Sequence, residues 1–281
     1  MKAPRFALVG LLVALGIVVL ALTMVRSGYG TATETIVHKE TIRVLLPAIA
    51  KKPWEEIVAS FERDTGIHVE AAYGSTGWIL SQLKVGHPAD VVAVASIEDM
   101  EKAIRMGFVD PDSVKLIACT VPAIIVPRGN PRNITCLEDL AKPGVRIAIA
   151  DPETVVVGRY AKKLLEYNHL WDKVKPNIVT YARNFADLVN TLITAKGRID
   201  AIIAFHVAHY WYPNETELIW LPRSQVPCAT CITIAVAKGG DTALAEKFIE
   251  YVLGKGMEVF EKYHYMTPEE AEHHALKIGG C

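Results

Sequence analysis

Tyr73-Gly-Ser-Thr-Gly-Trp-Ile-Leu-Ser-Gln-Leu-Lys-Val-Gly-His-Pro-Ala-Asp-Val-Val-Ala-Val-Ala-Ser96 is the stretch on which the fold turns. It reads strand, glycine-hydroxyl turn, short helix, turn, buried strand. Gly74 and Gly77 bracket Ser75 and Thr76, and Ile79, Leu80 and Leu83 repeat at helical spacing. A helix opening after Ser75-Thr76 leaves its first backbone N–H groups without partners. Those donors, two hydroxyls and the positive end of the helix dipole converge, which makes an anion site. Gly86 and Pro88 stop the helix. Val91–Ala95 is a nearly continuous apolar run, as expected of a parallel strand covered on both faces.

Elements of the same kind extend to either side. Thr41–Leu46 is a first strand, followed by the loop Pro47–Lys52. Trp54, Ile57, Val58 and Phe61 mark a helix that Gly66 closes, and Ile67–Ala72 is the next strand. Ser96-Ile-Glu-Asp99 resembles a capping box opening a third helix. A β-α-β-α-β-α order predicts a parallel sheet with covered faces. Val114–Val126, a long apolar run broken by Pro122, reads as a strand crossing into a second lobe. There Val145–Ala150, Asn177–Tyr181 and Ala201–Phe205 alternate with helices, and Asn184 caps one of these. Cys231–Ala237 crosses back, and helices over Thr242–Leu253 and Met257–Tyr263 follow. The expected organisation is a two-lobed α/β chain with a ligand cleft between the lobes. Lobe 1 takes residues 41–120 plus 235–281, and lobe 2 takes 121–234. Loops at the carboxyl ends of the strands would face each other across the cleft, where open α/β sheets bind ligands.

The N-terminus is a separate object. Lys2 and Arg5 precede Phe6–Val25, a run of 20 uncharged residues, and Arg26 comes next. Such a helix can span a bilayer, and the early basic residues favour export of the downstream chain. Residues 1–26 are therefore expected to be a signal-anchor or signal peptide, with the anchor preferred. Residues 27–40 read as a polar tether. The predicted location is extracytoplasmic, either membrane-anchored or secreted. Two N-x-[ST] triplets, at Asn133 and Asn214, would suit it.

The chain has 281 residues, 51% hydrophobic, with a formal net charge of −1. That balance argues against a nucleic-acid partner, which would require a basic face. Walker, G-x-S-x-G and H-E-x-x-H motifs are absent from the sequence. The nine histidines are dispersed, and His273-His274 is in the tail. No nucleophile–base or metal constellation can be assembled, so an enzyme is not expected, nor a cofactor beyond a bound ligand. Of the five cysteines, Cys228 and Cys231 have C-x-x-C spacing. A disulfide within that pair, one between Cys119 and Cys136, and buried free thiols all stay open. Cys281 has no evident partner.

The remaining signal is a set of mostly uncharged loops at strand ends and helix starts: Pro47–Lys52, Gly74–Gly77, Ala95-Ser96, Thr154–Gly158, Asn184-Phe185 and Phe205-His206. A fully deprotonated tetrahedral oxyanion accepts hydrogen bonds only. Its pocket should offer donors and no carboxylate.

Gly74-Ser-Thr-Gly77, Gly86-x-Pro-Ala-Asp90-Val-Val-Ala-Val-Ala-Ser96, Ala150-Asp-Pro-Glu153 and Gly158-x-Tyr-Ala-Lys162 together resemble the molybdate/tungstate-binding proteins of ABC importers. The resemblance runs over about residues 41 to 265. It implies a periplasmic-binding-protein-like fold of type II, whose two α/β lobes close on an oxyanion. It also implies delivery to a membrane permease driven by a separate ATPase. Carried over, the ligand contacts are Ser75 or Thr76, the backbone of Ala95, Val156 and Val157, and positions near Phe185, Phe205 and His206. The family's first loop offers a Ser where this chain has Ile49, with Lys51 two residues on. Its usual Tyr donor is Phe205 here. Alternatives within the resemblance are sulfate or a small organic acid. Outside it, the alternative is a membrane-tethered sensing domain.

Overall fold

The computed structural model describes residues 40–195 and 197–280. The apolar segment 6–25, nearly all of the tether, and Cys281 lie outside the described residues. Among the described residues, no helix is long and apolar enough to cross a membrane.

Two five-stranded sheets organise the chain. In the first, β1 (Thr41–Pro47) lies between β2 (His68–Gly74) and β3 (Val91–Val94), parallel to both. β10 (Thr230–Val236) then runs antiparallel between β3 and β4 (Lys115–Thr120). In the second, β6 (Ile147–Ala150) lies parallel between β7 (Ile178–Ala182) and β8 (Ala201–Phe205). β5 (Pro122–Pro127) runs antiparallel between β8 and β9 (Thr216–Ile219). The parallel strands are those joined by helices, as a crossover requires. β5 and β10 enter from the opposite sheet without a crossover α-helix between, so nothing turns them parallel. The sheets are mixed for that reason, where the helix–strand alternation predicted parallel ones.

Helices α1 (Lys51–Thr65), α2 (Thr76–Lys84) and α3 (Ile97–Arg105) connect the strands of the first sheet. α4 (Val156–Tyr167), the short α5 (Trp171–Val174), α6 (Phe185–Thr194) and α7 (Val207–Trp211) serve the second. α8 (Thr242–Tyr251), α9 (Met257–Lys262) and α10 (Pro268–His274) end the chain. α1 buries Trp54, Ile57 and Phe61 at the predicted helical spacing. These rings meet the C-terminal helices edge-on, Trp54 against Phe260 at 5.0 Å and Phe61 against Phe248 at 5.1 Å. Edge-to-face pairs of this kind add to the area they bury. Lys39–Cys281 forms one compact unit with its own apolar cores.

Two sequence expectations are revised, and one strand is added. β10 pairs with the first sheet along its whole length, so residues 230–234 share a sheet with β1 and not with β6. The added strand is β9, whose four residues show no clear alternation in the sequence. Cys119 is bonded to Cys231, its direct neighbour across β4 and β10. This displaces both pairings weighed from spacing, since register across the sheet, not sequence distance, brought the sulfurs together. Cys228 is likewise disulfide-bonded, and Cys136 is free. A structural disulfide accords with an oxidising compartment.

Candidate functional site

Parallel strands release their chains at the same sheet edge, so the helix starts that come after them gather there. In this chain the starts of α2, α4 and α6 line one cavity of about 480 Å³. Their N-cap residues are Ser75, Val155 and Asn184, and all three are in its wall. Each helix has eight or more residues, enough to carry a dipole whose positive end faces the cavity.

The three starts differ in local chemistry. Ser75 Oγ accepts from the Trp78 N–H at 3.3 Å, which leaves its own hydroxyl hydrogen free to donate. Thr76 is buried, and its Oγ1 accepts from the Ala95 N–H at 3.2 Å. The Ala95 N–H expected to reach a ligand is thus engaged by Thr76. Its effect is to fix the Thr76 oxygen so that the hydroxyl hydrogen is the available donor. Asn184 Oδ1 accepts from the Asp187 N–H at 2.8 Å. Val155 provides no side-chain cap, so the first N–H groups of α4 have no acceptor from the helix itself. Gly158 makes this approach possible. A Cβ there would sit 2.3 Å from the Ala150 carbonyl oxygen and 2.6 Å from that of Asp151. Only glycine lets the first turn of α4 settle against the end of β6.

Seven of the eight expected contacts, Ser75, Thr76, Ala95, Val156, Val157, Phe185 and Phe205, line this cavity together. His206 does not. Its ring is buried behind the strand end, where Nδ1 accepts from the Val121 N–H at 3.1 Å and Nε2 meets the His264 carbonyl at 2.8 Å. That pattern fixes a neutral tautomer with the proton on Nε2. Burial pushes its pKa down to about 4, against the smaller upward pull of the two backbone hydrogen bonds. The ring ties the β4–β5 crossing to the C-terminal segment. Lys51 is also outside the cavity wall. Its ammonium lies over the Tyr73 ring at 5.6 Å and pairs with Glu55 at 3.6 Å.

Tyr73, Trp78 and Arg183, which no motif singles out as ligand contacts, also line the cavity. Burial, with Glu55 adding to it, pushes the Tyr73 phenol up to about 12, so it stays neutral. Arg183 is the one charged side chain in the wall among the described residues, and no carboxylate lines it. Its place between the end of β7 and the capping Asn184 is the signal in the sequence that could find it. The wall can therefore donate hydrogen bonds to a ligand, and its charged residue, Arg183, has a solvent-exposed side chain that pairs with Asp187 at 3.8 Å.

Comparison with known proteins accords with this geometry. Residues 42–266 match the bacterial extracellular solute-binding protein family. The chain is 28% identical over 233 residues to YvgL of Bacillus subtilis, provisionally named an ABC transporter substrate-binding lipoprotein. That match covers 81% of this chain and 86% of YvgL. It is 21% identical to the molybdate-binding protein ModA of Escherichia coli, over 84% of this chain and 93% of ModA. The solved sulfate-binding protein SubI of Mycobacterium tuberculosis shares the fold with a TM-score of 0.72 at 15% identity, over 85% of this chain and 94% of SubI. The family match spans most of the sequence and both sheets, and the chain belongs to the bacterial extracellular solute-binding proteins.

Proposed function

We propose that this protein is the extracytoplasmic binding component of an ABC importer. It captures a tetrahedral oxyanion, molybdate or tungstate, and delivers it to a membrane permease driven by its ATPase. The observation that carries the reading is the convergence of three helix starts and two hydroxyls on a cavity whose wall, among the described residues, holds no carboxylate. Such a wall suits an anion that only accepts hydrogen bonds. Hydrogen phosphate, which must also donate one, is disfavoured. Ser75, Thr76, Val156, Val157 and Phe185 supply the contacts, Ala95 orients Thr76, and Phe205 closes the apolar floor. The ligand-binding role is not enzymatic. The N-terminal segment 6–25 holds the protein at the membrane surface.

A small organic acid is the second reading, favoured by the cavity's volume and its aromatic residues Tyr73, Trp78, Phe185 and Phe205. Calorimetric titration with molybdate, tungstate, sulfate, phosphate and short carboxylates separates them. Molybdate or tungstate should bind most tightly and phosphate most weakly. Tighter binding of a carboxylate selects the second reading, and no heat with any of the anions sinks both. External protease on intact cells should release the domain, and protection from it would contradict the topology.

A further inference from the structure

Two pairs of side chains cross directly from one lobe to the other, beside the cavity. α3 starts immediately after Ala95-Ser96, and α4 presents Arg159 and Tyr160 just after Val156 and Val157. Arg159 Nη2 donates to Asp99 Oδ2 at 2.7 Å. The Tyr160 hydroxyl donates to the Glu98 carboxylate, 3.1 Å and 3.3 Å from its two oxygens. Asp99 is 7% exposed and Tyr160 3%. Ser96-x-x-Asp99 would be a capping box if the Asp99 carboxylate reached back to the Ser96 N–H. Half of the box is present, with the Asp99 N–H donating to Ser96 Oγ at 3.2 Å. The carboxylate is turned elsewhere. Its Oδ2 takes the Ser96 hydroxyl at 2.9 Å and Arg159 of the other lobe. Tyr160 also packs its ring on Phe205, at 5.6 Å, which lines the cavity. Burial first, and then the Glu98 charge, push its phenol well above the ordinary value, so it remains a donor.

We infer that Glu98, Asp99, Arg159 and Tyr160 form a clasp that sets the separation of the two ligand-facing edges, and that they are positioning residues for ligand retention. The inference rests on the proposed reading of the cavity as the anion site. One rung links the first turn of α3 to the first turn of α4, and the other links the same turn of α3 to Tyr160, whose ring packs on the cavity-lining Phe205. Hydrogen bonds to a charged group in sheltered surroundings are strong, and removing one partner leaves the other charge uncompensated. Without the clasp the edges can part, and a ligand held from both sides escapes faster. Encounter is governed by access and steering, so the on-rate should change little.

The test uses residues 39–281, the unit with its own cores, and molybdate as probe. Stopped-flow tryptophan fluorescence gives the rate constants, X-ray scattering the radius, and thermal unfolding the stability. Tyr160→Phe and Arg159→Gln should each raise the molybdate off-rate about fivefold, and together more than about tenfold, with on-rates within about twofold. The doubly substituted protein without ligand should show a larger radius than the parent, and Arg159→Lys should recover part of the off-rate. A merely structural role would lower the melting temperature and leave off-rate and radius at the parent values, which overturns the clasp. A raised off-rate with an unchanged radius overturns it too. Should the parent bind no oxyanion, the functional reading fails while the radius comparison still decides: a larger radius upholds the clasp and an equal one sinks it.

Discussion

On the first lobe the helix facing the cavity begins with Ser75 and Thr76, whose side chains present hydroxyls. On the second, α4 begins with Val155, Val156 and Val157, whose side chains can donate nothing. Both edges offer the same backbone device, a helix start with unpaired N–H groups. The first adds chemistry that a point substitution can delete. The second depends on where its backbone lies, and Gly158 decides that by packing under the Ala150 and Asp151 carbonyls. Binding energy can thus be lost at the start of α2 by changing a side chain, and at the start of α4 only by moving the chain.

The sharpest test of that contrast is Gly158→Ala. Its Cβ cannot fit 2.3 Å from a backbone oxygen, so α4 must shift. We expect a stability loss of about 1–3 kcal/mol, as for other overpacked sites. Oxyanion affinity should fall by about a hundredfold or more, since several donors move together. Val157→Ala keeps its N–H and should stay within about threefold of the parent. Calorimetry on both reads the result, and a folded Gly158→Ala protein with parental affinity would break the contrast.

Next in size is the hydroxyl pair. Ser75→Ala with Thr76→Ala should weaken binding at least about tenfold, since each hydrogen bond to a charged group contributes about 1.5–3 kcal/mol. An unchanged dissociation constant would place the anion away from the start of α2.

The lobes repeat a second device at the opposite ends of their strands. Asp90, just before β3, accepts from the Arg43 N–H at 2.7 Å and the Asp241 N–H at 2.9 Å. Asp200, just before β8, accepts from the Arg146 N–H at 2.8 Å. It also pairs with the Arg146 and Arg132 guanidiniums at 3.0 Å and 3.3 Å. Burial pulls the Asp200 pKa up, but the Arg146 side chain, its backbone N–H and Arg132 outweigh it, so the carboxyl lies below its usual range. A depressed carboxyl stabilises the fold above the unfolded value of about 3.9. That contribution is lost as pH falls through the lower folded value. Asp200→Asn should cost about 2 kcal/mol near neutral pH and less as pH drops below about 4. Chemical denaturation at pH 7 and pH 3 measures it, and an equal cost at both would show that the pairing is immaterial.

The smallest expected effect on ligand affinity is that of His206, which joins the lobes at their crossing. Its folded pKa is depressed to about 4, so between about 6.5 and 4 the unfolded chain takes a proton that the folded one refuses. Stability falls over that window as pH falls, by about 1–3 kcal/mol. His206→Gln keeps an acceptor for Val121 and a donor for His264 and should flatten the decline. Ligand affinity should follow the same pH curve in both proteins. A ligand affinity that strengthens with acid only in the parent would return His206 to the site.

The sequence by itself determined the kinds of element and most of the cavity wall. Helix starts after buried strands are local events, written in Ser75, Asn184 and the apolar runs before them, and parallel topology brings such starts to one edge. It could not place His206. The residue after β8 can turn toward the cavity or behind it, and the choice belongs to Val121 and His264, which are 85 and 58 residues away. Nor could spacing pair Cys119 with Cys231, whose meeting depends on the register of β4 against β10. The sharing of the Asp99 carboxylate between Ser96 and Arg159 was hidden in the same way, for a capping motif is local and the second partner lies 60 residues off. Local patterns name what a segment can do. Which of two satisfied arrangements it adopts is settled by partners that only the folded chain supplies.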